Sequence, residues 1–166
     1  MSLRAHLGVV VMGITFVFHP VISAAHFAGP TDACALLTGE QVSAVLGVKV
    51  GAGQRVAPTN ALICGWTQPS DTNHTGKRVA LTIYGQLGSR TPAERFATAK
   101  TPAPKIQKTP VAGVGDDAFY ATTPGIGTGL IFKKGDSAFD LRVYGFPVEE
   151  IKAKEKTLAA AILGKM

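Results

Sequence analysis

Val79, Leu81 and Ile83 alternate with Ala80, Thr82 and Tyr84. This period of two predicts a strand over Arg78–Gly85 with two unlike faces. The same alternation at Phe139, Leu141 and Val143 marks Ala138–Gly145, and with Leu130–Lys134 and the Gly135-Asp136 turn it predicts a hairpin. Shorter strands are expected at Cys64–Trp66 and Ala118–Ala121. Val48–Val56 alternates only loosely around Gly51 and Gly53 and reads as a weak or bulged strand. Elsewhere the period lengthens to that of a helix. Asp32–Leu37 suggests one or two turns capped by Thr31 or Asp32, and Thr38 with Gln41 forms a capping box ahead of Val42, Val45 and Leu46, with Gly47 as the stop. The unit is expected to bend and to turn Cys34, Leu37, Val42 and Val45 inward. Thr91, Pro92 and Glu94 start a second helix that faces Phe96 and Ala99 inward and ends near Lys100. A third opens at Pro147, where Val148, Ile151, Leu158 and Ile162 form an apolar stripe interrupted by one polar residue, Glu155. Pro69–Gly76, Thr101–Pro110 and Thr123–Gly129 read as a polar loop, an extended Pro- and Lys-bearing connector and a flexible loop.

Strands joined by short turns must run mostly antiparallel. The expected fold class is therefore α+β, a mostly antiparallel sheet packed by N-terminal, middle and C-terminal helices, with the helices forming one layer against it.

Composition narrows the setting. The chain has 166 residues, enough for one domain, and is 46% hydrophobic and 17% charged, so it can bury a core. The net charge of +6 is scattered, which predicts affinity for anionic surfaces without the basic run of a nucleic-acid arm. Arg4, the apolar run Leu7–Phe18 and the small residues Ser23, Ala24 and Ala25 read as an export signal over residues 1–25, cleaved after Ala25; an uncleaved anchor is the alternative. Residues 26–166 are then a single secreted or periplasmic domain. Its two cysteines, Cys34 and Cys64, are expected to pair in that compartment, with two buried free thiols as the alternative. Trp66 lies two residues beyond Cys64, hence on the same strand face, and is expected to fill the core beside the bridge.

Three blocks of residues also carry a resemblance. Asp32-Ala33-Cys34-x-Leu36-Leu37-Thr38 with Gln41, Val42, Val45, Leu46 and Gly47 is the first, Cys64-x-Trp66 the second, and Val111-x-Gly113-Val114-Gly115-Asp116-Asp117-Ala118 the third. In this order they resemble the secreted, mostly actinobacterial envelope proteins of the DUF3558 type, many of them lipoproteins. The resemblance implies a PsbP/Mog1p-like α/β/α sandwich and a role in binding a ligand or partner at the cell envelope. The chain departs from that group in having no cysteine close behind its apolar leader to accept a lipid.

The search for chemistry finds little. After the leader the imidazoles are His26 and His74, at no metal-ligand spacing, so no metal and no cofactor is expected. Gly135-Asp136-Ser137 is superficially like the Gly-Asp-Ser block of a lipase-esterase family, but a serine nucleophile needs a histidine base and none follows position 74. Asn73-His74-Thr75 is formally a glycosylation sequon and reads as a solvated loop. Asp116 and Asp117 are adjacent carboxylates, either a polar turn or an acid/base pair. Gly125, Gly127 and Gly129 lack the spacing of a dinucleotide loop and form a ligand-contacting lip at most. Asp116, Asp117, Gly125, Gly127 and Gly129 are the candidate contact residues, beside the connector that bears Lys100, Lys105 and Lys108. The favoured reading is a secreted, non-enzymatic module that binds an envelope ligand or protein, without nucleic acid and with peripheral contact to an anionic membrane or wall surface. A small extracytoplasmic hydrolase using Asp116 or Asp117, and a structural accessory protein of the envelope, are the alternatives.

Overall fold

The computed structural model describes residues 29–71 and 75–166, with the backbone alone at Ala61. The leader over residues 1–25, His26, Asn73 and His74 lie outside the described residues.

Seven strands form one antiparallel sheet: β1 (Gln54–Ala57), β2 (Asn60–Trp66), β3 (Arg78–Ile83), β4 (Gln107–Pro110), β5 (Asp117–Thr123), β6 (Gly127–Lys134) and β7 (Ser137–Tyr144). Their order across the sheet is β1-β2-β3-β7-β6-β5-β4. Two meanders therefore meet where β3 pairs with β7. Among the described residues three helices accompany the sheet: α1 (Gly39–Leu46), α2 (Pro92–Lys100) and α3 (Val148–Leu163), with a 3-10 turn at Ala33–Ala35 before α1. The α+β class is as expected.

The helix boundaries follow their capping chemistry. Thr38 accepts from the Gln41 N–H while the Gln41 side chain accepts from the Thr38 N–H, and Thr91 and Glu94 do the same for α2. Gly47 ends α1 in the left-handed region, where a side chain would be strained. Asp32 caps the 3-10 turn by accepting from the Cys34 N–H.

One face of the sheet carries the main core. Leu81, Phe132, Phe139, Leu141 and Val143 lie under Ile151, Leu158 and Ile162 of α3, and α1 packs alongside α3. The opposite face carries a smaller core, in which Phe96 of α2 packs on Phe119, Ile131 and Ala138. Helices thus cover both faces, and the expected single helical layer is corrected to two. The reason lies in β5 to β7, whose sequences put apolar residues on both sides: Phe119 and Ile131 point away from α3 while their neighbours point toward it. Such strands are buried twice over.

Cys34 and Cys64 are bonded, with their Cα atoms 5.1 Å apart. Trp66 is fully buried beside them. The bridge ties the 3-10 turn to β2, as the sequence led one to expect. Gly53 closes over it: a Cβ there would come within 2.7 Å of Cys64 Sγ and 2.8 Å of the Trp66 indole.

Three boundaries move. The weak strand expected over Val48–Val56 is confined to β1, the sheet edge. The Thr101–Pro110 connector ends in a true edge strand, β4, in which Lys108 turns its amine onto the carbonyls of Ala99 and Thr101 at the C-terminal end of α2. The loop expected over Thr123–Gly129 shrinks to the turn at residues 124–126, because Gly127 and Gly129 belong to β6.

Candidate functional site

The sheet opens at one end. β3 and β7 stay paired to Arg78 and Tyr144, whereas the ladder between β6 and β7 stops at Leu130 and Leu141. Beyond that point the β5–β6 hairpin leans away from β7. A cleft of about 440 Å³ fills the gap, walled by residues 122–128 of the hairpin, by residues 142–146 of β7 and its exit, and by Val148 and Ile151 at the start of α3.

The splay leaves a debt in hydrogen bonding. A strand residue that loses its neighbour has a backbone N–H to satisfy. The Val143 N–H donates instead to Glu155 Oε1, at 3.1 Å, so a carboxylate from α3 takes the place of the missing strand. Glu155 is fully buried, and its Oε2 has no hydrogen-bond partner. Burial pushes its carboxyl up to about 8, against the pull of the Val143 hydrogen bond, and Asp140 pushes the same way while Arg142 opposes it. At neutral pH the group is mostly protonated.

Around this cleft the side chains are of two kinds. Ile126 at the hairpin tip is 81% exposed and Val148 40%. Lys77 and Lys154 hold their Nζ atoms 4.6 and 4.5 Å from the centroid of Phe146, and Arg78 stacks 4.1 Å from that of Tyr144. Arg142 is bound through Nε and Nη2 to both carboxylate oxygens of Asp140, at 3.0 and 3.1 Å. Thr122 and Thr128 share a hydroxyl–hydroxyl hydrogen bond of 2.9 Å across the hairpin.

The candidate residues from the sequence do not converge. Asp117 begins β5 and Thr123 ends it, so Asp116 and Asp117 lie about 20 Å from the glycine turn at the rise of an extended strand. Of the glycines, Gly125 and Gly127 line the cleft, and Gly129 lies outside its lining, packed so that a Cβ would meet Arg142 Cγ at 3.0 Å. At the far end Asp116 accepts from the Gly135 N–H at 2.7 Å and pairs with Lys134 at 3.0 Å, which together hold its carboxyl below the usual range. Asp117 pairs with Lys100 at 2.6 Å, beside a hollow of about 430 Å³ between α2 and the sheet. The two carboxylates serve different partners and share no site. Gly135-Asp136 is the β6–β7 turn and Ser137 a buried first residue of β7.

The cleft residues Arg142, Phe146 and Val148 carried no signal in the sequence, because each fits a strand, its exit or a helix start, whereas Tyr144, with Tyr84 and Tyr120, reads in the sequence as a strand tyrosine able to line a groove or to sit at the core edge. Glu155 did carry one, as the single polar residue on an apolar stripe.

No family model matches the chain, and no curated protein or solved structure matches it either. Fold and site define a class at most: a disulfide-stapled α+β domain with a cleft at the splayed end of its sheet.

Proposed function

We propose that the protein is an extracytoplasmic binding module that takes a ligand of the cell envelope in the cleft between the β5–β6 hairpin and the start of α3. The observation that carries this reading is the cleft itself. Its volume of about 440 Å³ lies in the range of small-molecule sites, and it joins apolar walls to a few polar groups. The Cys34–Cys64 bridge supports placement outside the reducing cytosol, as does the leader-like segment over residues 1–25. The resemblance to DUF3558-type proteins and their PsbP/Mog1p-like fold points the same way. Against a hydrolase built on Asp116 and Asp117 stands the use of both: Asp116, with its pKa lowered by the Gly135 N–H and Lys134, is a poor general base, and Asp117 is engaged by Lys100.

Thermal unfolding of the oxidised protein in the presence of amphiphiles, soluble glycans and cell-wall fragments tests the reading. A ligand that binds only the native state raises its stability. At least one class should raise the midpoint, and Val148→Trp, which fills the mouth of the cleft, should abolish the rise. No shift with any class, or a shift untouched by Val148→Trp, would refute it.

A further inference from the structure

We infer that the ligand of the cleft is a single-chain amphiphile with an anionic head, bound as a monomer; this rests on the cleft being the binding site. Two cations, Lys77 and Lys154, reach the ring of Phe146 in the wall of the cleft, and neither has a carboxylate within ion-pair distance among the described residues; the Lys154 amine also donates to the Val45 carbonyl, at 2.8 Å. Arg78 stacks on Tyr144 but donates to the Gly76 carbonyl and lines a separate hollow with Gln54, Arg55 and Gly65, so it does not belong to this pair. Arg142 differs, since Asp140 already occupies it. Like charges gathered without counterions attract an anion.

The walls ask for the other half of the ligand. Ile126, Phe146, Val148 and Ile151 present apolar surface to the same space, and Ile126 leaves most of its side chain in water when the cleft is empty. Covering that surface drives an apolar chain into the gap. A bare anion would leave it exposed, and a neutral chain would leave the cations unanswered.

The acidic groups of this end argue for a monomer over a bilayer. Glu149 and Glu150 occupy the first turn of α3 beside Val148, Glu149 is paired with Lys152, and both are exposed. A flat anionic surface pressed against Val148 and Ile126 would meet the unpaired Glu150. A single molecule seated between the hairpin and β7 does not have to.

Titration calorimetry with dodecanoate below its micellar concentration tests the inference, with butyrate and monododecanoylglycerol as controls. Dodecanoate should bind more tightly than either control. Lys77→Gln should weaken it roughly threefold, a difference of about 0.7 kcal/mol. Ile126→Ser should weaken it several-fold, and both variants should keep the unfolding midpoint of the free protein. The inference is overturned if dodecanoate fails to bind, if the variants bind it unchanged, if butyrate binds equally well, or if phosphatidylglycerol vesicles capture the protein while dodecanoate does not. Should a glycan stabilise the protein where dodecanoate fails, only this inference falls; should nothing bind, the binding-module reading falls with it.

Discussion

Glu155 gives the sharpest test of the packing. Its carboxyl has an ordinary value of 4.5 in the unfolded chain and about 8 in the folded protein. Between those two values the folded state holds a proton that the unfolded state has released. Stability is therefore greatest below about pH 4.5 with respect to this group, falls as pH rises toward 8, and levels off above it. Each pKa unit corresponds to about 1.4 kcal/mol. The loss due to Glu155 then amounts to about 1 kcal/mol at pH 5, about 3 kcal/mol at pH 7 and about 5 kcal/mol at pH 9.

Glu155→Gln removes the titration and keeps the shape. The amide oxygen still accepts from the Val143 N–H, and the second polar atom stays without a partner, as Oε2 is now. An unpaired amide costs about 1–3 kcal/mol, so the variant starts at or below the wild type near pH 5. Its advantage should then grow by about 3–4 kcal/mol between pH 5 and pH 9. Urea unfolding at unit steps of pH, followed by the fluorescence of the buried Trp66, measures both curves. Other titrating groups are common to the two proteins and cancel in the difference. Parallel curves across this range would show that the carboxyl is not desolvated, and the account of how the sheet ends would be wrong.

Two further outcomes follow from the staple and its surroundings. Replacing Cys34 and Cys64 together by Ala should cost about 2–5 kcal/mol in urea unfolding, in line with closing a loop of 30 residues. In the oxidised wild type, alkylation followed by mass measurement should find no free thiol even in denaturant; two alkylated cysteines would remove the staple. Gly53→Ala should cost about 1–3 kcal/mol, because its Cβ would overlap a disulfide sulfur and an indole that cannot move. Gly51→Ala is the control, since its Cβ meets nothing nearer than the Thr67 carbonyl at 3.9 Å and should shift the urea midpoint little.

Local chemistry made much of this fold legible. The capping boxes at Thr38 and Thr91 fixed two helix starts, and the alternation in β3 and β7 fixed which side chains face α3. Trp66 and the cysteines announced the staple. What the pattern concealed was pairing at a distance. Phe119 and Ile131 are strand residues whichever way they face, and only the placement of α2 shows that their side of the sheet is covered. Lys108 looked like part of an exposed connector because its partners, the carbonyls of Ala99 and Thr101, lie on the preceding helix end. Gly127 and Gly129 looked like loop because glycine is poor in strands, yet β5 supplies a partner for each.

The cleft escaped notice for a related reason, and its cause can be traced to one helix. A sheet with short turns tends to pair along its whole length, because an unpaired strand edge leaves backbone groups unsatisfied. β6 and β7 part at Leu130 and Leu141 without that penalty at Val143, since Glu155 reaches down from α3 to accept its N–H. An alanine or leucine at position 155 would suit the stripe formed by Ile151, Leu158 and Ile162 better, but it would offer the N–H nothing. The polar exception on the helix and the gap in the sheet are thus one feature seen from two sides. The gap in turn separates the hairpin tip from β7 and leaves Ile126 without a neighbour to cover it. A residue that weakens the core above pH 5 thereby holds open the surface on which a ligand would act.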